Sequence, residues 1–331
     1  MLTIKMVIRR IVCLALPCSL LGLSNIALAQ INGLQCSAPP RINCPESNCP
    51  RDAMANRGPV VDEKTGRSYY LDYPCDLKPG EKLTFILNIH GAGSIATWQR
   101  HYFPAVDAKE KYRLIVATPT ALIDDPAPRR WAAEADDEHL HNIVDFVLEK
   151  FGKENIERFW LAGHSQGGMT SRRIVCSDYF ADKVDGFFSL SGGRVGSPLR
   201  VREGRPTPPP LTCDFSHIYT TGELERSGQD MPTDSSWAEK YSCDARKELP
   251  DVVDTKAGYV TASDQSRGPS WGTFARPGVA KLSHYPNCDD GRIVVDIVRI
   301  NKGHTEGLEP NIVEEIVKLM QSAKGGKLQA N

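Results

Sequence analysis

From residue 83 onward, short apolar runs alternate with longer stretches whose apolar residues recur at helical spacing. The runs predict buried strands. They are Leu83-Thr84-Phe85-Ile86-Leu87-Asn88-Ile89, Arg113-Leu114-Ile115-Val116-Ala117, Arg158-Phe159-Trp160-Leu161-Ala162, Gly186-Phe187-Phe188-Ser189-Leu190, Ser216-His217-Ile218-Tyr219-Thr220, and a long last one over residues 292–300. Helices are predicted around residues 102–111, over 136–151, after residue 168, and over 310–321. In the second, Leu140, Ile143, Val144, Val147, Leu148 and Phe151 form one stripe behind the acidic start Asp136-Asp137-Glu138, which suits the positive end of a helix dipole. The last is opened by Pro310 and packs through Ile312, Ile316, Val317 and Met320. Such alternation predicts the α/β class, a mostly parallel central sheet flanked by helices.

Other segments punctuate this pattern. Residues 59–73 predict a hairpin turning at Lys64-Thr65-Gly66, and the proline-rich loop 205–210 is expected to be stiff and extended. Residues 245–290 carry Trp271, Phe274 and Tyr285 among Gly and Pro without clear periodicity. A loop that long implies either a lid or substrate wall, or a packed insertion held by Cys288. No internal repeat is present.

The N-terminus changes the picture of where the chain works. Lys5, Arg9 and Arg10 precede the apolar run Ile11–Leu16, and Ala27-Leu28-Ala29 ends the segment, as in a secretory signal peptide cleaved after Ala29. Pro17, Ser19, Ser24 and Asn25 interrupt the run too often for a membrane span, and Pro17 before Cys18 argues against lipidation. Of the 10 cysteines, Cys13 and Cys18 leave with the signal. The even remainder favours disulfides in an exported, secreted or periplasmic protein. The expected pairing joins Cys36, Cys44, Cys49 and Cys75 among themselves, Cys176 with Cys213, and Cys243 with Cys288. No C-x-x-C pair is present and the histidines are scattered, which excludes a zinc framework. A net charge of −1 with 24% charged residues gives no general pull toward nucleic acid. The resulting plan is a signal peptide over 1–29, a cysteine-rich extension and hairpin over 30–75, an α/β domain over 76–323 with the insertion 245–290, and a flexible tail over 324–331.

Candidate chemistry centres on Gly163-His164-Ser165-Gln166-Gly167, a G-x-S-x-G motif between a predicted strand and a predicted helix. Such a turn holds its serine in a strained conformation, and the flanking positions must be glycine because a side chain there would clash. Serine needs a histidine base and a carboxylate that orients it. On an α/β sheet these can follow in chain order serine, acid, histidine. His304, in Gly303-His304 directly after the last strand, fits the base best; His90, His101, His139, His141, His164, His217 and His284 fit less well by order or placement. Glu225, just past the strand that precedes the final one, is the candidate acid, with Glu223, Asp230 and Asp234 as competitors. The oxyanion would be held by the N–H of Gln166 and by one from His90-Gly91-Ala92-Gly93, where Gly91 and Ala92 are the candidates. Trp98, Trp131 and Trp271, with Phe274, are candidates to stack on a substrate ring or polymer face.

With His90-Gly91-Ala92-Gly93, Gly163-His164-Ser165-Gln166-Gly167-Gly168 and Gly303-His304 in order, the chain resembles the poly(3-hydroxybutyrate) depolymerase and feruloyl esterase group of exported α/β-hydrolases over roughly residues 80–320. Trp131 with Asp136-Asp137, and Trp237 with Cys243, extend the likeness. The resemblance implies the α/β-hydrolase fold, ester hydrolysis through an acyl-enzyme, and no metal or organic cofactor. That group usually carries aspartate where Glu225 stands, and the segments 36–75 and 245–290 depart from its outline. The expected function is therefore a secreted serine esterase acting on a small-molecule or polymeric ester: short acyl, feruloyl-type or polyester. Its rivals are an exported serine peptidase or acyltransferase using the same triad, and an inactive carbohydrate-binding or adhesion protein on a hydrolase scaffold.

Overall fold

A computed structural model of the chain describes residues 30–31, 34–36, 60–122, 130–196, 210–226, 230–259 and 267–330. The signal segment, Cys44, Cys49 and all but the end of the proline-rich loop lie outside the described residues. Strands β1 (Gln30–Ile31) and β2 (Leu34–Gln35) form a small pair of their own. β3 (Val60–Val61) and β4 (Ser68–Asp72) are the two arms of the predicted hairpin, closed by Gly66 at φ 68° and by the Gly66 N–H bond to the Asp62 carbonyl.

The apolar runs become β5 (Leu83–Ile89), β6 (Leu114–Pro119), β7 (Ile156–His164), β8 (Gly186–Leu190), β9 (Ser216–Gly222) and β13 (Val294–Arg299). They run parallel in the order β13-β9-β8-β7-β5-β6. Strands buried on both faces have no polar side to alternate with, which is why they read as continuous apolar runs. From β5 the chain passes to β6 on one side and returns to β7 on the other, so the carboxyl ends of β5 and β7 flank a topological switch point, where open sheets leave a crevice. β4 joins antiparallel to β6 at one edge. At the other edge, β12 (Val279–Tyr285) pairs antiparallel with β13 and carries the short β10 (Lys247–Glu248) and β11 (Val252–Val253).

Two cores cover the two faces. On one, α3 (Ala133–Phe151) packs Leu140, Ile143, Val144 and Val147 against Phe85, Leu87, Phe159, Leu161 and Phe187. On the other, α6 (Pro310–Ser322) packs Ile312, Ile316, Val317 and Met320 against Ile86, Trp160, Phe188, Ile218 and Ile297. Each such side chain contributes about 1.5–3 kcal/mol relative to exposure. Among the described residues no helix is long and apolar enough to cross a membrane. This strand order, with parallel centre and antiparallel edges, is the α/β-hydrolase fold.

Several expectations need correction. The helix expected over 102–111 is broken into α1 (Ala96–Tyr102), a 3-10 turn (Ala105–Ala108) and α2 (Lys109–Tyr112), because Pro104 lacks the N–H a continuous helix requires. The hydrolase sheet begins before residue 76, since β3 and β4 extend it through β6. Residues 245–290 are not structureless: β12, whose alternating Ala280 and Leu282 fill the α6 side, lies between the acid-bearing and histidine-bearing segments in sequence. The tail is not free. After Gly326, α7 (Lys327–Ala330) buries Leu328, and Gln329 donates to the carbonyls of Lys153 and Ile156. Disulfides join Cys36 to Cys75, Cys176 to Cys213 and Cys243 to Cys288.

Candidate active site

Ser165 sits between β7 and α4 (Gln166–Ile174) at φ 51°, ψ −116°, a conformation that costs an L residue energy and persists only where the surroundings enforce it. The enforcement comes from both sides. The Ser165 N–H donates to the Leu190 carbonyl at the end of β8 (2.8 Å), and the Met169 N–H returns to the Ser165 carbonyl (3.1 Å). The glycines allow the turn to close: a Cβ on Gly163 would lie 2.3 Å from the Gly167 carbonyl carbon, and one on Gly167 would lie 2.1 Å from the Ile89 carbonyl oxygen.

β13 ends beside this turn, and the loop after it carries His304. Its Nε2 lies 2.8 Å from Ser165 Oγ and its Nδ1 2.6 Å from Glu225 Oε2. A carboxylate only accepts, so Nδ1 carries the proton and Nε2 is left as the acceptor for the serine hydroxyl. Glu225 stands on a single 3-10 turn (Glu223–Arg226) after β9, the parallel neighbour of β13. Its Oε1 accepts from the Gly222 N–H (2.7 Å), the Ser191 hydroxyl (2.7 Å) and the Thr221 hydroxyl (3.3 Å). Burial alone would raise the Glu225 carboxyl; the bond from His304, with its charge, and those from Gly222 and Ser191 hold it below the ordinary glutamate range. Of the competing acids, Glu223 accepts instead from the Asn301 N–H (2.9 Å), and the carboxylate bonded to His304 Nδ1 is that of Glu225.

The loop after β5 lies against the serine: a Cβ on Gly91 would come within 3.2 Å of Ser165 Cβ. His90 shapes it. Its Nε2 accepts from the Ala121 N–H (3.0 Å), so its Nδ1–H donates to the Gly91 carbonyl (2.6 Å), which also accepts from the Ser94 N–H (3.1 Å). Across a trans peptide the next N–H points opposite to its carbonyl, so the Ala92 N–H faces away from His90. Gln166 supplies the first N–H of α4, which helix geometry leaves without an intrahelical acceptor.

Trp98 and Trp131, candidates to stack on a substrate ring or polymer face, are each only 7% exposed. Trp98 packs in the core beside Tyr102. Trp131 donates its indole N–H to the His90 carbonyl (2.8 Å), and its backbone N–H donates to Gln166 Oε1 (3.3 Å), so it braces the two loops that flank Ser165. Trp271 is partly exposed and packs on the candidate base, with its ring centroid 4.8 Å from that of His304.

Three supporting residues had no sequence signal beyond their types. Ser191 follows β8 and meets Glu225 only because β8 and β9 are neighbours. His164 donates its Nε2–H to the His304 carbonyl (2.7 Å) and stacks on Tyr102 with centroids 4.5 Å apart. Glu306 accepts from the Gly303 N–H (3.0 Å) and the Thr273 N–H (3.1 Å), joining the His304 loop to the segment that carries Trp271.

Burial pushes His164 down to about 3, with the charge of His304 adding to the shift, and burial likewise pushes His217 down to about 3. A histidine depressed on folding binds its proton more readily when unfolded, so stability is lost as pH falls from about 6.5 toward 3. Together the two should cost roughly 2–3 kcal/mol per pH unit near pH 5. Urea unfolding at pH 7, 6 and 5 measures this; a free energy unchanged over that range would mean both imidazoles take up protons inside the folded protein.

No family model and no curated protein matches the sequence. Among solved structures, the chain is similar to an acetyl xylan esterase from Aspergillus awamori, at 11% identity and a TM-score of 0.46, over 77% of this chain and 94% of that one. It is also similar to TT1662 from Thermus thermophilus, at 14% identity and a TM-score of 0.41, over 81% and 96%. A third is FphF, a fluorophosphonate-binding serine hydrolase of Staphylococcus aureus, at 15% identity and a TM-score of 0.32, over 51% and 77%. At these values none of them speaks to activity, and the fold assignment rests on the strand order above.

Proposed function

We propose that this chain is an exported serine carboxylic-ester hydrolase that works through an acyl-enzyme on Ser165. The observation that carries the reading is the unbroken hydrogen-bonded line from Ser165 Oγ through His304 to Glu225 at the switch point of the sheet. In the first half-reaction Ser165 Oγ attacks the ester carbonyl carbon while its proton passes to His304 Nε2. The N–H groups of Gln166 and Ala92, rather than Gly91, hold the oxyanion. Collapse breaks the bond to the alcohol oxygen, which takes the proton from His304; water then repeats the sequence and releases the acid. Glu225 keeps His304 in the productive tautomer and balances the imidazolium. The signal-like N-terminus and the disulfides Cys36–Cys75, Cys176–Cys213 and Cys243–Cys288 support export. The narrower likeness to poly(3-hydroxybutyrate) depolymerases and feruloyl esterases rests on the three motifs and on the matches at Trp131 and Trp237.

The test is a panel of 4-nitrophenyl acetate, butyrate and octanoate with methyl ferulate, on the oxidised mature chain. Expected are a nitrophenol burst with the activated esters and an acyl mass increment on the Ser165 peptide after acid quench. A folded protein that turns over none of them and leaves Ser165 unlabelled by a fluorophosphonate would sink the reading. Faster cleavage of amides than of matched esters would move it to a peptidase, and preferential transfer to an added alcohol over water to an acyltransferase.

A further inference from the structure

The imidazole that protonates the departing alkoxide defines which half of the substrate lies beside it, so a partly exposed side chain next to His304 meets the alcohol and not the acyl group. Trp271 holds that place. Its ring is partly exposed and tilted 36° to His304, with 4.8 Å between centroids. The position is rigidly built: the Trp271 carbonyl accepts from the Thr305 N–H (2.8 Å) and hydroxyl (2.9 Å), while Glu306 ties Thr273 to Gly303. The two segments touch backbone to backbone, since a Cβ on Gly303 would lie 2.5 Å from the Pro269 carbonyl oxygen. The guanidinium of the exposed Arg267 rests 4.4 Å over the indole, so a planar group already stacks on this ring, and a substrate ring on the same face would take the place of the guanidinium and displace it into solvent.

Resting on the esterase reading above, we infer that Trp271 forms a leaving-group subsite that selects esters whose alcohol carries a ring able to stack, an arene or the apolar face of a sugar. Trp98 and Trp131 are buried and take no part in it. The ring contributes to acylation, where the alcohol is bound, and has no partner once the alcohol has left. Selectivity should therefore appear in kcat/KM across alcohols and not across acyl chains.

The experiment compares acetates of alcohols of similar acidity: benzyl against allyl acetate, and methyl 6-O-acetylglucopyranoside against 2-methoxyethyl acetate. Wild type is expected to favour the ring-bearing member of at least one pair by about five- to tenfold in kcat/KM. The benzyl pair reports an arene and the glycoside pair a sugar. Trp271→Ala should bring the ratio to about one, with Trp271→Phe restoring most of it and the acetate-to-butyrate preference unmoved. Ratios near one in wild type would overturn the inference. So would ratios that Trp271→Ala leaves intact while every ester slows alike, which would make Trp271 a support for His304 only. Absence of any acyl-enzyme on Ser165 in wild type would instead overturn the esterase reading, and the subsite with it.

Discussion

Ser165→Ala is expected to lower kcat for 4-nitrophenyl butyrate by about 10⁶-fold, and His304→Ala by about as much, with the double variant no worse than either. The reason is that, on the proposed mechanism, nucleophile and base act as one unit. Without His304 Nε2 at 2.8 Å, the hydroxyl keeps its proton, and without the hydroxyl the imidazole has nothing to activate. Glu225→Gln should cost less, about 10⁴-fold, and leave the fold intact. The amide can still accept from Gly222 and Ser191, but if its NH₂ turns toward His304 the imidazole is driven to the tautomer that carries its proton on Nε2, where the serine needs an acceptor. Single-turnover kinetics with circular dichroism of each variant provides the check. Activity of Ser165→Ala within tenfold of wild type would place the nucleophile elsewhere, and a Glu225→Gln variant of full activity would remove Glu225 from the triad.

Gly167→Ala is expected to destabilise the protein by about 3 kcal/mol or more, a drop on the order of 10 °C in midpoint. The new methyl would stand 2.1 Å from the Ile89 carbonyl oxygen and 2.6 Å from that of His90, and both are backbone atoms of the central sheet and the loop beside Ser165. Nothing flexible is available to yield, so β5 and α4 must separate. That displacement also moves Gly91 and Ala92 relative to Ser165, and activity per folded molecule should fall with stability. Gly66→Ala is the control, because its Cβ meets nothing within 4 Å and only its φ of 68° is strained; it should cost about 1 kcal/mol. Calorimetry of the two variants decides the matter. A loss at Gly167 no larger than at Gly66 would mean that β5 and α4 part at little cost, so that close approach does not set the requirement for glycine at the elbow.

Much of the architecture was legible because its determinants are local. The runs at 83–89 and 186–190 become β5 and β8 with unchanged bounds, and the helix opened by Pro310 starts where its proline predicts. The elbow is local too, since its glycines answer to contacts within the same few residues and the adjoining strand. β12 (Val279–Tyr285) is not legible in the sequence, because a single short strand amid Gly and Pro carries little periodic signal. Pro104 breaks the helix expected over 102–111, and α7 has no sequence signal because one buried residue, Leu328, leaves no pattern at all.

By itself the sequence determined the class of fold, the strained turn at Ser165 and the candidates His304 and Glu225, because periodicity, glycine spacing and chain order are properties of neighbours along the chain. Only the tertiary structure decided that Ser191 meets Glu225, that Glu306 couples the Trp271 segment to His304, and that Trp131 braces loops while Trp271 lies against the His304 ring. Those relations join residues tens of positions apart, and their partners are chosen by which strands lie side by side and which faces the helices cover, quantities that no local pattern encodes.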